Sequence, residues 1–180
     1  MVSSICIYGN PALRKASERV ERVTDQIRAL ADRMLGIMYT AEGIGLAAEQ
    51  IGETHAVFVL DVPPQADKNE QGFPNNPSVN MPLVFINPEV IGSSPETDTK
   101  EEGCLSFPKL YVPVTRSKEV VVRFQDRNGN EQVLNAKGLL ARAIQHEMDH
   151  LNGVLLFDHM SKAAKLKHAL LFRTFKKANR

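Results

Sequence analysis

Apolar residues recur along the chain with different periods, and each period predicts an element. After Thr24, a residue type that caps helices, Ile27, Leu30, Ala31, Met34 and Met38 fall at helical spacing until Gly43 and Gly45 interrupt the pattern. This predicts a first helix leading into a glycine-rich turn. Segments 55–62 (HAVFVLDV) and 83–86 (LVFI) are short, apolar and β-branched, as buried strands are. Between them, 63–82 holds five prolines and four asparagines with little periodicity and reads as an exposed loop insertion. Segments 120–125 and 131–134 flank Arg127-Asn128-Gly129-Asn130, where Asn-Gly offers the positive φ angles of a tight hairpin. From Gly138 the period returns to that of a helix, with Leu139, Ala143, His146 and His150 at i, i+4, i+7 and i+11. A last helix is predicted over 161–178, with Ala163, Leu166 and Leu170 on one side.

Composition narrows the class. Apolar residues make up 43% of 180 and charged residues 24%, the balance of a globular chain, and the length suits one domain of roughly 100–150 residues or a little more. The net charge of +1 divides unevenly: 161–180 carries seven Lys or Arg and no acid, which leaves 1–160 at 15 minus 21, or −6. The body therefore gives no charge signature of DNA binding, while the basic tail suits an anionic surface or a solvated helix face. The start, Met1-Val2-Ser3-Ser4-Ile5-Cys6, has neither the basic nor the extended apolar character of a secretory signal, and no run has membrane-spanning length, so a cytoplasmic protein without a membrane partner is expected. Two cysteines cannot build a disulfide framework. Cys6 reads as a small buried residue and Cys104 as a candidate ligand.

The chemistry concentrates at His146-Glu147-Met148-Asp149-His150. On a helix the two imidazoles of H-E-x-x-H sit one turn apart on one face and can share an ion, with Glu147 beside it as the general base and acid. Such a helix can also be plain polar surface, so a third ligand matters. The longer H-E-x-x-H-x-x-G-x-x-H pattern is met at Gly153 but ends on Leu156, and no Glu follows Glu147, which excludes two common peptidase arrangements. Of His159, Asp158, His168 and Cys104, the last is the best candidate, because a thiolate binds zinc or ferrous iron well and Gly103 lets the backbone come close. Asp149 reads as orienting a ligand or the helix, or as a surface acid.

Three stretches, Gly43-Ile44-Gly45-Leu46-Ala47-Ala48-Glu49-Gln50, Glu102-Gly103-Cys104-Leu105-Ser106 and Gln145-His146-Glu147-Met148-Asp149-His150, together resemble the peptide deformylases of bacteria and organelles in order and spacing. The resemblance runs from Gly9-Asn10-Pro11-Ala12-Leu13-Arg14 to Leu151-Asn152-Gly153-Val154-Leu155. It implies a single α+β domain over 1–180, with the H-E-x-x-H helix among small, mostly antiparallel sheets and a C-terminal helix. It implies one divalent metal ion per chain on Cys104, His146 and His150, often Fe2+, with Zn2+, Ni2+ or Co2+ able to replace it. The implied reaction is hydrolysis of the N-formyl group of formylmethionine on nascent polypeptides, releasing formate. Water deprotonated by Glu147 attacks the formyl carbon, and the Gln50 amide and the Leu105 N–H stabilise the negative oxygen.

Gly43 and Gly45 would leave room for a peptide backbone, Ile44 would contact the peptide, and Leu139, Arg142 and Ala143 would wall the methionine pocket, Arg142 reaching either its edge or solvent. In bacterial members a C-terminal helix can contact the ribosome, which the basic tail suits. One position departs from the family pattern: Glu49 stands where many members have proline, so the backbone before Gln50 lacks that restraint. The competing functions are an H-E-x-x-H metallopeptidase cutting internal bonds, and an inactive relative with a structural metal site, in which Glu147 and Gln50 would have no use.

Overall fold

The computed structural model describes residues 5–178; Met1 to Ser4 of the N-terminal segment and Asn179 and Arg180 of the basic tail lie outside them. The order of elements is α1 (Asp25–Thr40), β1 (Gly45–Ala47), β2 (Val57–Leu60), β3 (Leu83–Ser93), β4 (Thr97–Cys104), β5 (Phe107–Ser117), β6 (Glu119–Gln125), β7 (Glu131–Lys137), α2 (Gly138–Leu151), α3 (Leu156–His159), α4 (Lys162–Lys167) and α5 (Ala169–Ala178). Five strands form an antiparallel sheet in the order β1-β2-β3-β6-β7, and β4 pairs with β5 in a second, two-stranded sheet. This is the expected α+β arrangement.

The larger sheet lies between two helices, which explains why 57–60 is apolar at every position. Phe58 and Leu60 join Phe85, Val120, Val122, Leu140, Ala141 and Ile144 in the core beneath α2. Val57 and Val59 face the other way, onto Ile27, Leu30, Ala31, Met34 and Met38 of α1, the stripe predicted from their spacing. A third cluster gathers Tyr8, Leu13, Phe107, Leu110, Val112 and Val114 with Leu155, Leu156, Phe172 and Phe175. Helix α2 is thus held in a fixed place over a two-sided sheet, and its polar face turns toward the edge of the smaller sheet.

Three expectations are corrected, and a fourth is narrowed. The Asn-Gly hairpin exists, but only Gly129 takes positive φ (85°); the loop runs from Asp126 to Asn130, and the Asp126 carboxylate accepts from the N–H groups of Asn128 and Asn130. The 63–82 insertion is not simply exposed. Asp67 is buried, and its carboxylate accepts from the Leu139 N–H (2.9 Å), from Asn75 and from Asn76, while Val79 and Met81 pack on the core. The insertion thereby satisfies an orphan donor at the start of α2.

The C-terminal helix is broken at His168, where a second helix begins, so the helical period resets. Leu166 and Leu170 are exposed, and Phe172 and Phe175 are the residues that dock. Finally, of the two alternatives for Arg142, it lies at the pocket edge and not in solvent, with its charge engaged. It is buried, with its guanidinium on Glu102, the Val114 carbonyl and Asp98.

The N-terminal segment stitches distant parts together. Cys6 N–H donates to the Gln50 carbonyl (2.7 Å), Tyr8 N–H to Ser106 (2.9 Å), Ser17 N–H to Leu151 (2.9 Å), and Ala56 N–H to Glu18 (2.8 Å).

Candidate active site

Cys104 closes β4, while His146 and His150 project from α2 one turn apart. Their donor atoms lie within 4.8 Å of one another, with Cys104 Sγ 3.2 Å from His150 Nε2. His146 Nδ1 sits 2.9 Å from Glu102 Oε2, which fixes the ring and leaves its other nitrogen for the cluster. Burial opposes ionisation of the Cys104 thiol, but the charge of His150 and the hydrogen bonds from His146 and His150 outweigh it and hold the pKa at about 5. A thiolate and two imidazoles converging in this way fit one divalent ion. His159, by contrast, is bonded to Asp149 (2.7 Å), and His168 caps α4; neither joins the cluster. Asp149 is tied to Arg116 Nη1 at 2.7 Å, so it braces the helix against β5.

Glu147 is buried on the same helix, and its Oε2 has no hydrogen-bond partner among the described residues. Burial pushes its carboxyl up to about 7 against the charges of His146 and His150, the range in which a carboxyl can both take and return a proton near neutral pH. The glycine of β1 makes room for it: a Cβ at Gly45 would run into Glu147 Oε1 and lie 2.8 Å from Leu60 Cδ2, and a Cβ at Gly43 would lie 2.8 Å from Leu105 Cδ1. On the side where a Cβ would project, the space these glycines leave is taken by Glu147, Leu60 and Leu105, while the glycines themselves also line the cleft.

Gln50 lies in a single 3-10 turn, Ala48–Ile51, directly after β1. Its Oε1 accepts from the Ala47 N–H (2.8 Å), and its Nε2 contacts Ser106 Oγ (3.2 Å) and Cys104 Sγ (3.5 Å), so the amide is oriented with its donor end beside the cluster. Leu105 occupies the turn between β4 and β5. These residues open onto a cavity of about 710 Å³ whose lining includes Gly43, Ile44, Gly45, Leu139, Arg142 and Ala143, so every residue given a catalytic, substrate-binding or metal-ligating part from the sequence except His150 reaches this cleft or its wall.

Sequence reasoning gave no part to Glu102 and Arg116. Glu102 is buried between Arg116, Arg142 and His146. Its signal was available, because on a strand residues two apart share a face and Glu102 stands two before Cys104.

The profile described as polypeptide deformylase matches residues 2–166. The chain belongs to the peptide deformylase family. It is similar to the peptide deformylase of Rhizobium meliloti (strain 1021), 46% identical over 177 residues that cover 98% of this chain and 94% of that relative. Among solved structures it is similar to the peptide deformylase of Ehrlichia chaffeensis, with a TM-score of 0.86 and 35% identity over 100% of this chain and 98% of that one. It is also similar to that of Synechococcus elongatus, solved in complex with actinonin, with a TM-score of 0.79 and 41% identity over 93% and 83% of the two chains. Peptide deformylases are metalloenzymes that hydrolyse the N-formyl group from polypeptides, and that is the activity of this chain. Internal peptide cleavage and a purely structural metal site are thereby set aside. No helix among the described residues is long and apolar enough to cross a membrane.

Proposed function

We propose that Cys104, His146 and His150 hold one divalent ion, that Glu147 moves the proton of the reaction, and that Gln50 and the Leu105 N–H receive the developing negative charge. The observation carrying this reading is the buried Glu147 carboxyl with an unpartnered oxygen beside three converging donors. When bound, the ion supplies Lewis-acid chemistry that makes water a nucleophile near neutral pH. Glu147 accepts the proton of the attacking water and returns it to the amine that leaves, a double task suited to its raised pKa. The Gln50 amide presents its donor end toward the tetrahedral oxygen, because its acceptor end is already engaged by Ala47.

The substrate enters along β1. One edge of β1 pairs with β2, Gly45 opposite Leu60, and it is the outermost strand of its sheet, so its other edge is available to an extended peptide. Ile44 borders that edge, and Leu139 and Ala143 form the apolar wall for the methionine side chain. Arg142, with its guanidinium engaged by Glu102 and Asp98, contributes its stem to this wall.

The ion assigned in the cell is Fe2+, with Zn2+, Ni2+ and Co2+ suited to the same donors. The enzyme acts in the cytoplasm on nascent N-formylmethionyl chains, and 161–180 contacts ribosomal RNA through its basic residues. Among the described residues of this tail, Lys165 and Lys176 lie over the rings of Phe157 and Tyr8. Unchanged ribosome association after removal of 161–180 would end that part.

The test is formate release from a formyl-Met-Ala-Ser peptide by anaerobically purified protein, beside Glu147→Gln, with metal content measured on both. Release by the parent and collapse in a variant of equal metal content is expected. A fully metal-loaded variant that retains the parent's rate would remove Glu147 from the mechanism.

A further inference from the structure

Glu49 precedes Gln50 in the 3-10 turn and has no exposed surface at all. Its Oε1 is in hydrogen-bond contact with Ser17 Oγ, and its Oε2 is buried without a hydrogen-bond partner; no ion pair to it forms among the described residues. Ser17 Oγ also lies 3.0 Å from the Leu151 carbonyl oxygen, which accepts from the Ser17 N–H as well. A hydroxyl carries one proton and can donate to one of these two oxygens only. Both contacts are hydrogen bonds if the second proton sits on Glu49. The carboxyl then donates to Ser17 Oγ and the hydroxyl donates to Leu151. An ionised Glu49 would be a desolvated charge in no ion pair among the described residues, which is costly.

We propose that Glu49 is a positioning residue for deformylation, a neutral carboxylic acid that donates through Ser17 to Leu151 and clasps the turn bearing Gln50 to the end of the helix bearing His150. The clasp joins opposite sides of the site, since Leu151 directly follows His150 and Glu49 directly precedes Gln50. Burial, the largest influence on this carboxyl, pushes it up to about 7; the ionisable groups that act on it are His150, which favours its ionisation, and Glu147, which opposes it. The proposal rests on Gln50 serving the reaction as set out above.

Three variants separate the donor from mere filling of space. Glu49→Gln keeps both volume and donor, Glu49→Leu keeps volume and loses the donor, and Ser17→Ala removes the relay. Each is measured for kcat and KM on formyl-Met-Ala-Ser, for metal content and for melting temperature. The expected result is kcat close to the parent for Glu49→Gln, and kcat lowered about tenfold or more at similar KM for Glu49→Leu and Ser17→Ala. Equal kcat in Glu49→Leu and the parent overturns the proposal, as does a Glu49→Gln variant as slow as Glu49→Leu.

An infrared difference spectrum, parent minus Glu49→Gln, gives an answer independent of activity. Taken below neutral pH it shows the carbonyl stretch of a protonated carboxylic acid if the clasp is as described. Absence of that band overturns the neutral clasp even in a fully active enzyme. A parent that shows the band but releases no formate refutes the deformylation mechanism, and with it the catalytic role given to Glu49.

Discussion

Gly45→Ala isolates what the bare backbone of β1 is for. A methyl group there would lie 2.8 Å from Leu60 Cδ2 and 3.0 Å from Glu147 Cδ, and closer still to Glu147 Oε1, whereas non-bonded carbon atoms settle at about 3.5–4.0 Å. Leu60 is buried in the packed sheet, so the carboxyl must move by ~1 Å. A displacement of that size in a reacting group costs on the order of 100-fold in rate, or about 2.7 kcal/mol of transition-state stabilisation. Crowding against Leu60 adds a stability loss of ~1–3 kcal/mol, and each kcal/mol lowers the melting temperature of a chain this size by roughly 2–4 °C. Steady-state formate release gives kcat and KM separately, and a thermal melt reports the packing cost. The expected signature is a fall in kcat with KM little changed and metal content retained. If KM rises while kcat stays at the parent's value, the missing side chain serves the peptide and not Glu147, and the assignment is wrong.

Glu102→Gln is expected to weaken metal binding by about 10–100-fold, since it takes the charge from the partner of His146; competition with a chelator measures it, and excess metal should restore activity. Burial raises the Glu102 pKa, but the hydrogen bonds of His146 and Arg116 outweigh it and hold the carboxyl at about 2, below the ordinary 4.5. The stability this carboxylate contributes is therefore present above the ordinary value and lost as pH falls from about 4.5 toward about 2; a melt series across that window should be steeper for the parent than for Glu102→Gln. Asp67→Ala should destabilise the fold by about 1–2 kcal/mol in a urea titration and speed amide exchange at Leu139, which no longer has its acceptor; unchanged exchange there would free the insertion from any role in α2.

What could be read from the sequence was what repeats over short spacings. The stripe of α1, the H-E-x-x-H helix and the hairpin near Gly129 announce themselves within one or two turns of chain. The strands β4 and β5 did not, although Leu110, Val112 and Val114 alternate as a half-buried strand does, because β4 itself is polar throughout. The Leu166 and Leu170 stripe was misread because a single continuous helix was assumed across His168. Asp67 was illegible for a different reason. It meets Leu139, 72 positions away, and nothing local distinguishes it from the other polar residues of its loop. Cys104 was found because the chemistry of two imidazoles demanded a third donor, whereas Glu102, which steers one of those imidazoles, went unassigned.

The stitching by residues 6–18 bears on how the enzyme itself is made. Cys6, Tyr8 and Ser17 are synthesised first, yet their backbone partners at Gln50, Ser106 and Leu151 emerge progressively later. Until Leu151 has left the ribosomal tunnel, the opening segment has nowhere to complete its last bond. Such long-range closure also slows folding relative to a chain built from local contacts, so each new molecule passes a waiting period before it can process other nascent chains.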